Sequence, residues 1–444
     1  MHSSPSNNEL KPNQDKVQHQ PSEKKDKKIT IISLSVLLAA AIGSFGITAL
    51  IQHFVSTPDP EPQQSADQPI PDPSVNLDYA FFNYETSKQN LIYSPLSIKN
   101  GLALLYAGAA GNTKTQIENV LGDVTILGKT TNIADKFSLA NAVFVRDTFE
   151  KSILPSYTEK AEKSYGAEII SDDFLNSNKI DNWVSQKTFG LINNLDMEID
   201  KETKMVLINA LAIQLDWLHQ FDTSDTAGDT FTNEDGEEMT VTTMTQITHA
   251  DDIRYYFDQD VTLLTMPLEK AGDAELEFIA IMPTTGNLSS YLKSFTPSDI
   301  ESKLALSTAA NALEVGAEIH IPRFKFDYEL DFKKDLISLG VVDVFDPTLA
   351  DFSNMATSSL FVSDAVHKAN IDFSEKGIKA AAVTAFGMKV TSVMAPDDSQ
   401  PIVVQINKPF LFLIRDKNNH ATWFTGTVYK PNLWSDDLDF YRPQ

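Results

Sequence analysis

Enzyme chemistry needs a nucleophile, an acid–base pair or a metal-binding set at workable spacing, and this sequence offers few of them. It contains no cysteine, which excludes disulfides, thiolate catalysis and zinc–thiolate sites. Neither the nucleophile elbow G-x-S-x-G nor the zinc pattern H-E-x-x-H occurs. Of the eight histidines, His367 stands out because VHKANIDF is otherwise an apolar, strand-like run. A single histidine in such a run is more often a hydrogen-bonded core residue than a ligand or base. GAAGNTKT, Gly108 to Thr115, lacks the spacing of a phosphate loop and follows a helix rather than a strand. It reads as a helix C-cap, a turn and a new N-cap at Thr113. The acidic clusters DGEE and SDDLD have no calcium-loop register and read as solvated surface. No catalytic set, no metal site and no cofactor is expected.

The chain that would carry such groups is long and acidic. Its 444 residues are 42% hydrophobic, enough for a sizeable core, and its formal net charge is -25. Nucleic acid, which needs a basic face, is not an expected partner. Residues 1–28 are polar and read as a cytoplasmic tail ending in EKKDKK. Residues 29–51 form a run of 23 without a charge, which as a helix spans roughly 34 Å, enough for a bilayer core. It is longer than a signal-peptide core, so it reads as an uncleaved anchor. Lys24, Lys25, Lys27 and Lys28 precede it, placing the N-terminus in the cytoplasm and everything after Ile51 outside the cell. Residues 52–75 are a proline-rich acidic stalk, with six prolines between Thr57 and Ser74, stiff and extended.

From 76 to 434 no linker and no internal repeat interrupts the sequence, so one globular domain is expected, with an acidic tail at 435–444. Helical periodicity runs from Leu96 to Ala110 and from Lys179 to Leu195. Strand-like runs include LANAVFVRD, KMVLINALAIQL, VTLLTMPL, LEFIAIMP, AEIHIPRFKFDYEL, PIVVQI, FLFLIRD and ATWFTGTVY. Phe231 to Val241 reads as a hairpin turning at Asp235-Gly236. The mixture predicts an α+β fold with large sheets covered by helices.

One segment fits neither surface nor core. SEKGIKAAAVTAFGMKVTSVM, Ser374 to Met394, is too apolar for a loop and too small-residued for a core helix. With a period of two, Ile378, Ala380, Ala382, Thr384, Phe386, Met388 and Val390 share an uncharged face. Lys379 and Lys389 fall on the other. The same alanines also permit a buried helix, an ordinary amphipathic strand, or a loop that becomes a strand. In the last case, burying Ile378, Phe386, Met388 and Val390 contributes roughly 1.5–3 kcal/mol each. New ladder bonds at about 1 kcal/mol apiece add a comparable amount. After ordering entropy, on the order of ten kcal/mol separates the two states.

Seven stretches in order make the domain, Asn76 to Pro431, similar to a serpin. They are NLIYSPLSIKNGLALLYAGAAGNTKTQI, LANAVFVRD, DNWVSQKTFG with INNL, VLINALAIQLDWLHQF, the run IHIPRFKF through DFSNM, LFVSDAVHKANIDFSEKGIKAAAVTA and NKPFLFLIRDKNNHATWFTGTVYKP. With its N-terminal anchor the chain resembles a membrane-anchored, bacterial-type member. The resemblance implies an α+β serpin fold of large, mostly antiparallel sheets covered by about eight to nine helices, with an exposed reactive-centre loop at about 375–400. It implies a suicide inhibitor, not an enzyme: a serine (or cysteine) protease cleaves the loop, forms an acyl-enzyme, and is trapped when the loop inserts into the main sheet. The implied hinge is Glu375, Gly377, Ile378, Ala380, Ala381, Ala382 and Thr384, and the implied scissile bond is Thr391–Ser392. Ser94, Ser97, Asn209 and His367 match the polar cluster under the parting sheet, and Trp217 matches the tryptophan where insertion starts. Ile378 stands where a small Thr or Ser is usual, Lys379 where an acid is usual, and Ser392 to Pro409 is longer than in many relatives. Val390-Thr391 suits elastase- or subtilisin-like proteases; Lys389 suits trypsin-like ones. The expected partners are a protease and, through the N-terminal helix, a membrane, with the domain monomeric. The alternative is a non-inhibitory serpin-fold binding module at the cell surface.

Overall fold

A computed structural model describes residues 76–83, 88–122, 132–133, 136–195, 197, 199, 201, 203–362, 365, 367–378 and 400–441. Eighteen strands and eight α-helices occur among them. A seven-stranded antiparallel sheet has the order β1 (Leu91–Tyr93), β18 (Thr422–Val428), β17 (Phe410–Asp416), β10 (Leu276–Pro283), β9 (Val261–Pro267), β8 (Arg254–Phe257), β11 (Thr308–Ala309). A four-stranded sheet runs β16 (Ile402–Gln405), β12 (Ala317–Pro322), β7 (Glu238–Thr248), β6 (Ala227–Thr232), with β16 parallel to β12. A second four-stranded sheet runs β13 (Phe324–Leu330), β14 (His367–Ser374), β15 (Gly377–Ile378), β5 (Leu215–Asp216). The last sheet has three strands, β3 (Ala167–Asp172), β2 (Phe137–Arg146) and β4 (Met205–Ile213).

The strands with continuous apolar sequence are those covered on both faces. LEFIAIMP and FLFLIRD are buried at every position in β10 and β17, whereas β13, FKFDYEL, alternates. Helix α1 (Pro95–Gly108) lies against β18 and β4; Ser94 caps it by accepting the Ser97 N–H, and Pro95 occupies its first turn, where no donor is lost. It leads through Ala109 and Ala110 into α2 (Gly111–Leu121), and α3 (Pro155–Tyr165) packs beside it. Helix α4 (Asn178–Lys187) covers β2 and β4, with Ile180, Trp183 and Val184 against Ala142, Phe144, Val206 and Ile208. The remaining helices are α5 (Leu288–Ser294), α6 (Pro297–Ala305), α7 (Phe332–Ser338) and α8 (Trp434–Tyr441).

Two local expectations differ from the structure. The helix read from Lys179 to Leu195 stops at Lys187, because Thr188 Oγ1 takes the Val184 carbonyl and Phe189 and Gly190 turn to positive φ. The second helix after GAAG is capped at Ala110 rather than Thr113, whose hydroxyl is engaged by the Asp351 N–H. SDDLD lies at α8, where Ser435 and Asp436 are exposed, as expected of a solvated stretch, while Asp437 accepts from the Thr242 hydroxyl of β7.

An aromatic cluster ties the sheets together. Phe373 of β14 stacks on Phe324 of β13 at 4.4 Å and lies 4.7 Å from Phe278 of β10. Phe278 in turn stacks on Phe412 of β17 at 5.8 Å, and Trp217 meets both Phe278 and Phe373 edge-on. Phe373→Ala removes the centre of this cluster and is expected to cost about 3–5 kcal/mol, read as a lower guanidinium midpoint at unchanged denaturant slope.

Candidate functional site

Two sheets that share a chain are not joined into one. β4 and β5 are interrupted only at Gln214, yet β4 pairs with β2 while β5 pairs with β15. Below Leu215 no ladder connects β4 to β14, and the two strands face each other across a seam. A small cavity of about 20 Å³ lies in the seam under Ile378, between Leu211 and Ile213 on one side and Ile371 on the other. A larger one of about 120 Å³ continues it past Leu207 and Asn209, facing His367 and Ala369, with Leu336 of α7 at its wall. β4 and β14 stand further apart than paired strands do, in two separate sheets.

A polar cluster sits on the inner side of this seam. The Ser94 N–H donates to His367 Nε2 at 3.0 Å, and the Ser94 hydroxyl donates to the Trp423 carbonyl at 2.7 Å. Ser97 donates its hydroxyl to Asn209 Oδ1, and Asn209 Nδ2 donates to Asn141 of β2. Asn141 Nδ2 passes the chain on to the Tyr165 carbonyl at 2.8 Å. These bonds link α1 to strands on both sides of the seam. Acceptance by Nε2 requires neutral His367 to carry its proton on Nδ1, and burial lowers its pKa to about 4.

The upper end of the seam is clamped. Trp217, 2% exposed, donates Nε1–H to the Ser374 carbonyl at 2.8 Å and its backbone N–H to Lys376 O at 2.7 Å. The Phe221 N–H donates to Glu375 O at 3.0 Å, and the Thr226 hydroxyl donates to the buried Glu375 carboxylate at 2.9 Å. The turn delivers Gly377 opposite Ser374 and Asp216, then Ile378 opposite Phe373 and Leu215. Only glycine fits at 377: a Cβ would lie 2.2 Å from Leu215 O and 2.5 Å from Asp216 Cα. Ile378, 3% exposed, joins the apolar cluster of Leu215, Phe373 and Ile213, so it faces inward.

The structure thus gathers Ser94, Ser97, Asn209 and His367 into one cluster, and Trp217, Glu375, Gly377 and Ile378 into another. Ala380, Ala381, Ala382, Thr384, Thr391 and Ser392 lie outside the described residues, as do the segments 1–75 with their apolar run 29–51. The sequence reading passed over Asn141, Thr226 and Phe221. A lone asparagine inside LANAVFVRD was signal enough for the first; nothing local marks the other two. Among the described residues no three His, Asp or Glu side chains gather to hold a metal, and no helix is long and apolar enough to cross a membrane.

The fold that carries this site has known counterparts. A family model described as Serpin (serine protease inhibitor) matches residues 79–431, and the chain belongs to the serpin family. Leukocyte elastase inhibitor of Xenopus laevis is 28% identical over 79% of this chain and 95% of its own length. The thermophilic serpin tengpin in its native state is 27% identical, covering 80% of this chain and 92% of its own, with a TM-score of 0.67. Human thyroxine-binding globulin, solved in complex with thyroxine, is 25% identical over 81% of this chain and 98% of its own, with a TM-score of 0.68. Serpins as a family are not catalysts, and many similar proteins are named as protease inhibitors.

His367 makes the seam acid-sensitive. Its pKa of about 4 in the folded protein lies below the unfolded value near 6.5, so the unfolded chain binds the proton more readily. The histidine's contribution is therefore intact above pH 6.5 and is lost as pH falls toward 4, on the order of 3 kcal/mol in all. Urea melts from pH 7.5 to 4.5 are expected to show a steeper acid loss for the parent than for His367→Asn. Parallel pH profiles would remove His367 as the cause.

Proposed function

We propose that the chain is a suicide-substrate inhibitor of serine proteases that traps them by inserting its cleaved loop between β4 and β14. The observation that carries this reading is the unpaired seam with Gly377 and Ile378 already seated at its top. Continuing that register sets Ala380 between Ile371 and Ile213, Ala382 between Ala369 and Leu211, and Thr384 between His367 and Asn209. The inward row is then small or apolar down to the polar cluster, where a hydroxyl arrives. Lys379 falls on the outer face beside Asp372. The buried Oδ1 of that aspartate has no hydrogen-bond partner, while its Oδ2 already meets Lys325 at 3.0 Å. A lysine is therefore accommodated where relatives carry an acid.

The chemistry belongs to the protease. Its serine oxygen attacks the carbonyl of Thr391, the amine of Ser392 leaves with a proton, and Thr391 remains as an ester on the enzyme. Insertion then drags the ester-linked enzyme along the seam, and the gain of about ten kcal/mol is spent on distorting its active site before water can hydrolyse the ester. Val390-Thr391 and the similarity to a leukocyte elastase inhibitor support an elastase- or subtilisin-like target. The second reading, a binding module that does not inhibit, draws on the similarity to thyroxine-binding globulin and on the bulk of Ile378 at the hinge.

Mixing the domain with elastase-, subtilisin- and trypsin-like proteases separates the two. A denaturing gel is expected to show a covalent band heavier than either partner; clean cleavage with protease activity retained would favour the binding module. Ala382→Asp, which puts a charge between Ala369 and Leu211, is expected to abolish the band and convert the protein into a substrate.

We place this domain outside a membrane, held by residues 29–51, with the N-terminus cytoplasmic. In a fractionated host the full chain is expected in the membrane pellet, with the domain released by protease added to intact cells. Recovery in the soluble fraction would discard the anchor and leave the inhibitor reading intact.

A further inference from the structure

We infer that the larger seam cavity binds a small neutral amphiphile, an apolar body with one hydrogen-bond acceptor, and that this ligand and an inserting strand exclude one another. The site stands on the native geometry alone; its effect on inhibition rests on the strand-insertion reading above.

Three features of the wall set the ligand's chemistry. The first is size and polarity. The cavity of about 120 Å³ is lined by Leu102 and Leu105 of α1, Leu207 of β4, and Phe332 and Leu336 of α7. It reaches the surface beside Phe361, which is 42% exposed. An apolar cavity of about 150 Å³ takes up benzene, so about six heavy atoms fit here. The second feature is one free donor. With Nε2 accepting the Ser94 N–H, neutral His367 carries its proton on Nδ1. That N–H has no acceptor among the described residues, and His367 lines the cavity. The neighbouring polar groups are engaged: the Ser94 hydroxyl with the Trp423 carbonyl, Ser97 with Asn209, and Asn209 with Asn141. A lone donor is a poor water site, since a buried water needs about two to four polar partners. It suits one carbonyl oxygen on an apolar body.

The third feature is Gly101, which lies inside α1 with ordinary helical backbone. Glycine there lowers stability about fivefold in the folding equilibrium relative to alanine. Nothing crowds the position: a Cβ would meet one atom, Asn209 Cβ, at an ordinary 3.8 Å. Neither backbone nor packing asks for glycine, and the methyl group it lacks would stand in the cavity wall. The glycine keeps the void open. An occupant touches both sides of the gap, Leu207 and Asn209 on β4 and His367 and Ala369 on β14. It therefore fills space that the proposed strand needs, and by binding the native form alone it retards conversion to the inserted one.

Cyclopentanone is the probe, and methylenecyclopentane its isostere without the acceptor. On the full chain the ketone is expected to raise the thermal midpoint saturably and to bind about fivefold tighter than the hydrocarbon. Gly101→Ala is expected to raise the midpoint without ligand and to weaken the ketone about threefold; Gly101→Leu, which fills more of the void, weakens it about tenfold or more. If Gly101→Leu does not fold, Gly101→Ala decides. A midpoint unmoved by the ketone, or ketone binding unchanged in the Gly101 variants, overturns the site. Equal binding of the two probes overturns the donor. Protease trapping then reads the consequence, with the protease's activity on a small substrate checked in the same ketone. The ratio of cleaved free chain to covalent complex is expected to rise about threefold with ketone, and less in the Gly101 variants. A ratio unchanged at saturating ketone overturns the exclusion and leaves the site. If no protease gives a covalent band, the insertion reading falls and the exclusion with it, while the midpoints still judge the site.

Discussion

The structure depends on a ladder that is not made. Backbone donors and acceptors normally pair, yet β4 and β14 lie across a seam without doing so, while β2 and β13 satisfy their other edges and β15 pairs with β14 only at the top of the seam. Such a defect is tolerable only where the rest of the fold is over-determined. Here the seven-stranded sheet supplies that reserve: β10 and β17 are buried along their whole lengths, and their phenylalanines lock β13 and β14 in place through Phe324 and Phe373. Stability concentrated behind the seam lets the seam itself remain open.

The polar cluster suits the moving interface that the proposed insertion requires. Apolar residues at Ser94, Ser97, Asn209 and His367 would weld α1 to both strands by unspecific burial. Hydrogen bonds are directional, and each is worth only about 1 kcal/mol net, so a bond from Ser97 to Asn209 can be exchanged for another without a large barrier. The arrangement does require His367 to stay neutral, since a proton on Nε2 would face the Ser94 N–H donor. Its burial and depressed pKa secure that above mildly acidic pH.

Much of this was legible in the sequence, for physical reasons that vary by element. Continuous apolar runs such as FLFLIRD mark strands covered on both faces, and period-two alternation placed Ile378 inward, as found. His367 read as a core histidine because a single histidine in an apolar, strand-like run is more often a hydrogen-bonded core residue than a ligand or base. Helix ends were less legible: α4 ends where Thr188, Phe189 and Gly190 turn the chain, and the apolar periodicity running on to Leu195 masked the glycine as a stop signal. The seam was invisible, because MVLINALAI and HKANIDFS each look like ordinary interior strands and only the fold keeps them apart. Thr226 and Phe221 act on the hinge from over 140 residues away, and no local pattern announces such a contact.

Ile378 is where sequence and structure pull in different directions. Judged by its relatives it is a blemish, a branched bulk where a small residue eases entry. Judged by its surroundings it is already in, between Phe373 and Leu215, with glycine beside it against the Asp216 backbone. A large residue obstructs insertion only if it must still cross an edge. One that starts inside has no edge left to cross and instead supplies the first buried contact from which the ladder can propagate. On the proposed insertion, the small residues that follow it would ease the motion.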